Sequence, residues 1–242
     1  MLIKELILRK TTPVVINSYN QPSYLKNLIG KFKQNEFKNI IILDNMSTSP
    51  ELIDYYNYLL ENDQNVMVIY YNNNNGPRHF HLKYIYKLLN TNTHLYSDPD
   101  IDFDVLAIDF MTQLNEYSEK FKLFKVGCAL EIPSTELIAN NLSFTAAHLG
   151  NKIFTIPEWE AQFWLHELED NIYIAPIDTT LHLFNDKYFY NPDNYISGIR
   201  IGKPGFIVKH LPWYRTNIMP TNELNSYLDT SLHTSTIKKS IR

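Results

Sequence analysis

"PVVINSYNQPSYLKNLIGKFKQNEFKNIIILDN", Pro13 to Asn45, is the stretch on which the fold turns. Its first part, "PVVINSY", is a short apolar run closing in polar residues, the pattern of a strand buried on both faces of a parallel sheet. Leu25, Leu28, Ile29 and Phe32 then recur at helical spacing behind the capping candidate Ser23. "NIIILD" is a second buried strand that stops at Asp44. Downstream, "SPELIDYYNYLLEN" predicts a helix with Ser49 as N-cap, Pro50 at the first helical position and Glu51 in the first turn. "VMVIYY" is a third strand, "NNNNGPR" a loop, Phe80 to Leu89 a helix and "THLYSD" a fourth strand. Strands alternating with helices imply right-handed crossovers and a parallel core flanked by helices, an α/β fold. Ligands of such sheets bind beyond the carboxyl ends of the strands. Asn17 and Ser18, Asp44 and Asn45, Asn73 to Gly76, and Asp98 to Asp100 all fall at those ends.

The rhythm changes after residue 104. "DVLAIDFMTQLNEY" predicts an amphipathic helix, "FKVGCALEI" a strand and "PEWEAQFWLHEL" a helix. "NIYIAP", "DTTLHLF" and "SGIRIGKPGFIVKHL" are strand-like, closer together and richer in turn residues, which predicts a partly antiparallel second half. No repeat, low-complexity tract or linker interrupts the chain. The expectation is one domain over 1–242, with residues 11–105 and 106–242 as its two halves.

Composition narrows the function. Lys and Arg number 22 against 26 Asp and Glu, a net charge of −4, and no basic cluster exists beyond the tail "IKKSIR". Nucleic acid is therefore not an expected partner. A single cysteine, Cys128 in an apolar strand, excludes an internal disulfide and a four-cysteine zinc site. No apolar run reaches the roughly 18 residues of a membrane span, and "MLIKELILRKTT" is too short and too charged for a signal peptide. The expectation is a cytoplasmic protein, with peripheral membrane contact left open through the tail.

"LYSDPDIDFD" places acidic residues at alternate positions after the fourth strand. Pro99 ends the ladder and holds Asp98 extended, so Asp98 and Asp100 point to one side. Two such carboxylates suit Mg2+ or Mn2+; they also suit a solvated turn, with Asp104 capping the next helix.

The run "PVVINSYNQPSYLKNLIGKF…NIIILDNMST" resembles the nucleotide-binding half of GT-A fold glycosyltransferases, the family-2-like group in particular. That half has a strand ending in a T/S-Y-N turn, here Ser18-Tyr19-Asn20, and later a strand ending in Asp-Asn-x-S, here Asp44-Asn45-Met46-Ser47. "NNNNGPR" is similar to the next loop, and "SDPD" falls where the family carries its DxD motif. The likeness covers residues 11 to 105 and thins beyond. It implies a GT-A mixed sheet, a uridine-linked nucleotide-sugar donor, a Mn2+ or Mg2+ cofactor, and a glycan, glycolipid or glycoprotein acceptor. It implies that Asp44 accepts the uracil N–H, that Asn20 supports base or ribose, and that Asn17, Tyr19, Asn45, Asn75 and Gly76 line the donor. Asp98 and Asp100 would hold the metal, with His210 as a third ligand. Arg78, Arg200 and Lys203 are candidates for the diphosphate, or for helix and surface roles.

An inverting transferase needs a carboxylate as general base. Glu160 is the first candidate because its place resembles the family's acid; Asp178 follows, then Glu158 and Glu131. Trp159, Trp164 and Trp213 stack on sugars or fill core. Two other readings remain: a nucleotidyltransferase, disfavoured because "NSYNQPSY" has no glycine, and a non-catalytic nucleotide- or glycan-binding module on the same fold.

Overall fold

The computed structural model describes residues 2–76, 87, 89–138, 142–146, 150–178, 180–190, 197–216 and 219–231. The helix expected from Phe80 to Leu89, Arg78 and the tail "IKKSIR" lie outside the described residues or largely so.

The first half follows the pattern. Strands β1 (Val14–Ser18), β2 (Ile40–Asp44), β3 (Val66–Tyr70) and β4 (Thr93–Ser97) form a parallel array in the order β3-β2-β1-β4. Helix α1 (Ile3–Thr11) precedes β1; α2 (Pro22–Gln34) and α3 (Pro50–Asn62) are the crossovers. Leu25, Leu28, Ile29 and Phe32 of α2 pack with Val14, Ile16, Ile40 and Ile42, the alternate residues of two strands, on one face of the sheet. Ser49 Oγ accepts from Leu52 N at 3.4 Å, as an N-cap should.

The second half is mixed. The described strands include β5 (Ile101–Asp102), β6 (Lys125–Leu130), β7 (Ser143–Ala146), β8 (Lys152–Thr155), β9 (Glu167–Glu169), β10 (Ile172–Ile174), β11 (His182–Asn185), β12 (Ile199–Ile201) and β13 (Ile207–His210). Beyond β4 the main sheet continues β11-β6-β12-β10-β9. β11 runs antiparallel to both β4 and β6, whereas β12 and then β13 run parallel to β6. β13 also pairs antiparallel with β5, setting His210 opposite Ile101. Helices α4 (Phe110–Phe121), α5 (Ile156–Ala161) and α6 (Thr221–Thr230) complete the layers. Cys128 is fully buried, and burial pushes its thiol far above the ordinary range, so it is inert core.

Three element readings need correction. The helix expected over "PEWEAQFWLHEL" ends at Ala161, passes through one 3-10 turn at Gln162–Trp164, and gives way to β9. Trp164 is the cause: its ring packs on Tyr173 and against Gly202, where any Cβ would meet the indole at 2.5 Å. The helix expected from Asp104 begins only at Phe110, because residues 104–109 are tied elsewhere. Leu106 N donates to Asn35 Oδ1, Ala107 N to Gly205 O, and Arg9 to Ala107 O. Asp104 is exposed and pairs with Lys31 instead of capping. Ser23 is not the cap of α2, which begins at Pro22; its N–H and hydroxyl both donate to Glu223 of α6.

Candidate active site

Register brings Ser18 beside Asp44 at the carboxyl ends of β1 and β2. Asp44 is buried; its Oδ2 accepts Ser47 N at 3.0 Å and its Oδ1 lies 2.9 Å from the Tyr56 hydroxyl, which is also 2.9 Å from Ser18 Oγ. Burial and then the Asp44 charge push the Tyr56 phenol far up, so it stays a neutral hydroxyl. Each Asp44 oxygen keeps acceptor capacity for a further N–H. Asn45, also buried, donates through Nδ2 to Asn17 Oδ1 and accepts Asn75 N at 3.4 Å through Oδ1. Three loops are thereby joined by Asn17, Asn45 and Asn75. Gly76 closes the third with φ of 77°, a left-handed conformation that favours glycine.

Asn20 and Tyr19 are otherwise engaged. Asn20 holds φ of 50°; its Oδ1 accepts Thr48 N and Ser49 N, and its Nδ2 donates to Thr48 Oγ1 and Thr230 Oγ1. Its amide therefore shapes the start of α3. Tyr19 donates to Thr230 O at 2.8 Å and meets Tyr227 edge-on, so α6 covers this turn.

The acidic turn lies next along the edge. Leu211 N donates to Asp100 O at 2.9 Å, and the β5–β13 pairing sets His210 Nε2 3.4 Å from Asp100 Oδ2. Asp100 Oδ1 and His210 Nδ1 are buried without a hydrogen-bond partner. Orphaned buried polar atoms of this kind normally cost stability unless something binds them. The 3.4 Å gap is long for a hydrogen bond, so Asp100 and His210 are a carboxylate and an imidazole that would be able to take a cation. These residues fit a hard divalent ion. Among the described residues, however, no three His, Cys, Asp or Glu side chains stand close enough to hold one. The expected Asp98–Asp100–His210 set is therefore present as the Asp100–His210 pair, with half-buried Asp98 two residues away.

Beyond His210 sits a second charged group. Glu160, from α5, is only 1% exposed, and its Oε2 is 3.5 Å from Arg200 Nη1. Burial pushes the Glu160 carboxyl up to about 7, against the opposing pull of the Arg200 and His210 charges. Arg200 is buried too; Nε and Nη2 both donate to Pro176 O at 2.9 and 2.8 Å, and the guanidinium lies 4.1 Å over the Phe163 ring. Burial lowers its affinity for the proton, and the charges of Glu160 and Asp178 restore part of it, which places Asp178 in the same electrostatic neighbourhood. Asp178 is half-exposed.

The raised Glu160 carboxyl has a stability consequence. A folded-state value above the ordinary 4.5 means that its contribution is full at low pH and is lost as pH rises through about 7. Wild-type stability should fall by up to about 3 kcal/mol over that window relative to Glu160→Gln. Thermal melts of both proteins at pH 5 and pH 8 check it; parallel melting curves at both values would remove the assignment.

The remaining candidates stand apart. Lys203 Nζ donates to Tyr117 OH, Glu131 accepts from Tyr214 OH, and Glu158 forms a capping box with Thr155. Trp213 is buried beside His210, and Trp159 is sandwiched edge-on between Phe154 and Phe163. Sequence reasoning missed Tyr56 and Phe163. Nothing local distinguishes them from the many other aromatics, since only the fold sets them against Asp44 and Arg200.

The fold has solved counterparts. A mannosyltransferase from Pyrobaculum calidifontis, solved with GDP-Man and Mn2+, superposes with a TM-score of 0.54 at 9% identity, covering 91% of this chain and 60% of that one. GalNAc-T7, solved with UDP, GalNAc and Mn2+, superposes with a TM-score of 0.51 at 14% identity, covering 90% and 48%. The chain has the GT-A fold. It spans roughly half to three fifths of the length of these two GT-A counterparts. No family model and no curated protein matches its sequence.

Proposed function

We propose that this GT-A chain is a metal-dependent glycosyltransferase, moving a sugar from a nucleotide donor, uridine-linked, to a glycan, glycolipid or glycoprotein hydroxyl with inversion. The observation that carries the reading is the Asp100–His210 pair, with its unpartnered buried atoms, at the carboxyl edge of the parallel strands and next to Glu160 and Arg200. The two counterparts, each solved with Mn2+ and a nucleotide or nucleotide sugar, support it.

In this reading the loops of Asn17, Asp44, Asn45, Asn75 and Gly76 receive the nucleoside, with Asp44 accepting the base N–H. Asp100 and His210 would hold Mn2+ or Mg2+, with Asp98, two residues away, as the candidate third ligand; the ion would neutralise charge on the departing diphosphate. Arg200, fixed by Pro176 O and Glu160, adds a second positive charge that needs no reorganisation. The base must touch the acceptor hydroxyl. Glu160 is walled off at 1% exposure. Half-exposed Asp178, within the field of Arg200, is the better base, and Glu160 positions the guanidinium.

Titration calorimetry with uridine diphosphate and Mn2+ tests the reading. Wild type should bind only with metal present, and Asp98→Asn and Asp100→Asn should each weaken binding at least about tenfold. Undiminished affinity in both variants would defeat the metal assignment. Metal-dependent release of uridine diphosphate from a uridine-linked sugar separates an enzyme from a non-catalytic module.

A further inference from the structure

Helix α1 is built inside out. Its buried positions are ionic or polar: Glu5 at 0% and Arg9 at 2% exposure, followed by Thr12 just past its end. Of its large aliphatics, Leu6 and Leu8 are half-buried, Leu8 against the core, while Ile3 at 80% and Ile7 at 55% are exposed, with Leu2 at 68% just before the helix. Residues 3 and 7 are one turn apart and project from a single face. Lys4 and Lys10 are exposed on the same helix, whereas its one acid, Glu5, is buried and consumed by hydrogen bonds. The adjoining loop, tied to α1 through Arg9 and Ala107 O, exposes Val105 and Ile108 as well.

Exposed aliphatics gathered on one helix face and on the loop tied to it make an apolar patch, and such patches mark interaction sites. The helix carries no aromatic side chain of the kind that anchors protein interfaces. Aliphatics flanked by lysines, with no competing acid on the helix, complement a surface that is apolar beneath and anionic above. The geometry points to α1 as an interfacial helix that docks this chain on an anionic lipid bilayer. The buried Glu5–Arg9 pair holds the helix on the body, so its outer face is free to lie in the headgroup region. This docking is independent of the proposed transferase activity.

Co-sedimentation of the full chain with vesicles tests it, using phosphatidylcholine alone and phosphatidylcholine with an equal part of phosphatidylglycerol. Binding is expected only to the anionic vesicles and should weaken with added salt. Lys4→Ala/Lys10→Ala should weaken it by roughly fivefold per lysine, and Ile3→Ser/Ile7→Ser should lower it to background. Both variants should melt like wild type, because the four side chains lie outside the core. The inference is overturned if anionic vesicles fail to bind the chain or if both variants bind undiminished. It is also overturned if only Lys238→Ala/Lys239→Ala in the tail abolishes binding, or if Ile3→Ser/Ile7→Ser instead dissolves a self-associated form seen without lipid.

Discussion

Asp178→Asn should lower the rate of metal-dependent uridine diphosphate release about 10²- to 10⁴-fold while leaving uridine diphosphate affinity within about twofold of wild type, the range for loss of a general base. Access to the acceptor hydroxyl decides before proton affinity does. Glu160 has the proton affinity of a base poised near neutrality, yet its carboxylate is enclosed and faces Arg200. Asp178 sits at the end of a segment whose carbonyls are gripped by buried cations: Arg200 holds Pro176 O and Lys125 Nζ holds Ile177 O at 3.0 Å. That grip fixes where an accessible carboxylate stands. Glu160→Gln should act differently, impairing diphosphate binding together with turnover, since it loosens the guanidinium. Were Asp178→Asn to turn over normally while Glu160→Gln lost turnover alone, the two roles would have to be exchanged.

Glu5→Ala is expected to cost about 3–5 kcal/mol of folding stability. Glu5 Oε1 accepts Arg9 Nε at 2.7 Å and Met111 N at 3.0 Å; Oε2 accepts Thr112 N and Thr112 Oγ1, each at 2.8 Å. The carboxylate is thus the N-terminal cap of α4, delivered by a helix more than 100 residues earlier. Removing it strips that cap and leaves a buried guanidinium with only carbonyls and the Phe37 ring for company. Urea unfolding of both proteins measures the effect; a loss below about 1 kcal/mol would show that α1 is dispensable to the core. The double variant Glu5→Gln/Arg9→Met should recover part of the loss, because it removes both charges at once.

The Asp100–His210 pair shows how far local reading reaches. "SDPD" announces carboxylates at a strand end, since Pro99 and the alternation act within four residues. It does not announce that Asp100 meets His210, because that depends on β13 pairing with β5 across about a hundred residues of chain. Asn20 carries the opposite lesson. Its place in a motif suggests a ligand contact, yet the fold spends its amide on Thr48, Ser49 and Thr230.

By itself the sequence determined the parallel half: apolar runs that stop in polar residues, 3.6-period stripes between them, and a Ser-Pro start to α3 are signals carried by neighbours in the chain. Only the tertiary structure decided where α2 and α4 begin, which carboxylate is enclosed and which is reachable, and that the first helix turns its ions inward. Caps from Glu223 and Glu5, and the proton affinity of Glu160, arise where distant segments meet and exclude water. Periodicity cannot encode such meetings, because hydrogen bonding and desolvation depend on proximity in space.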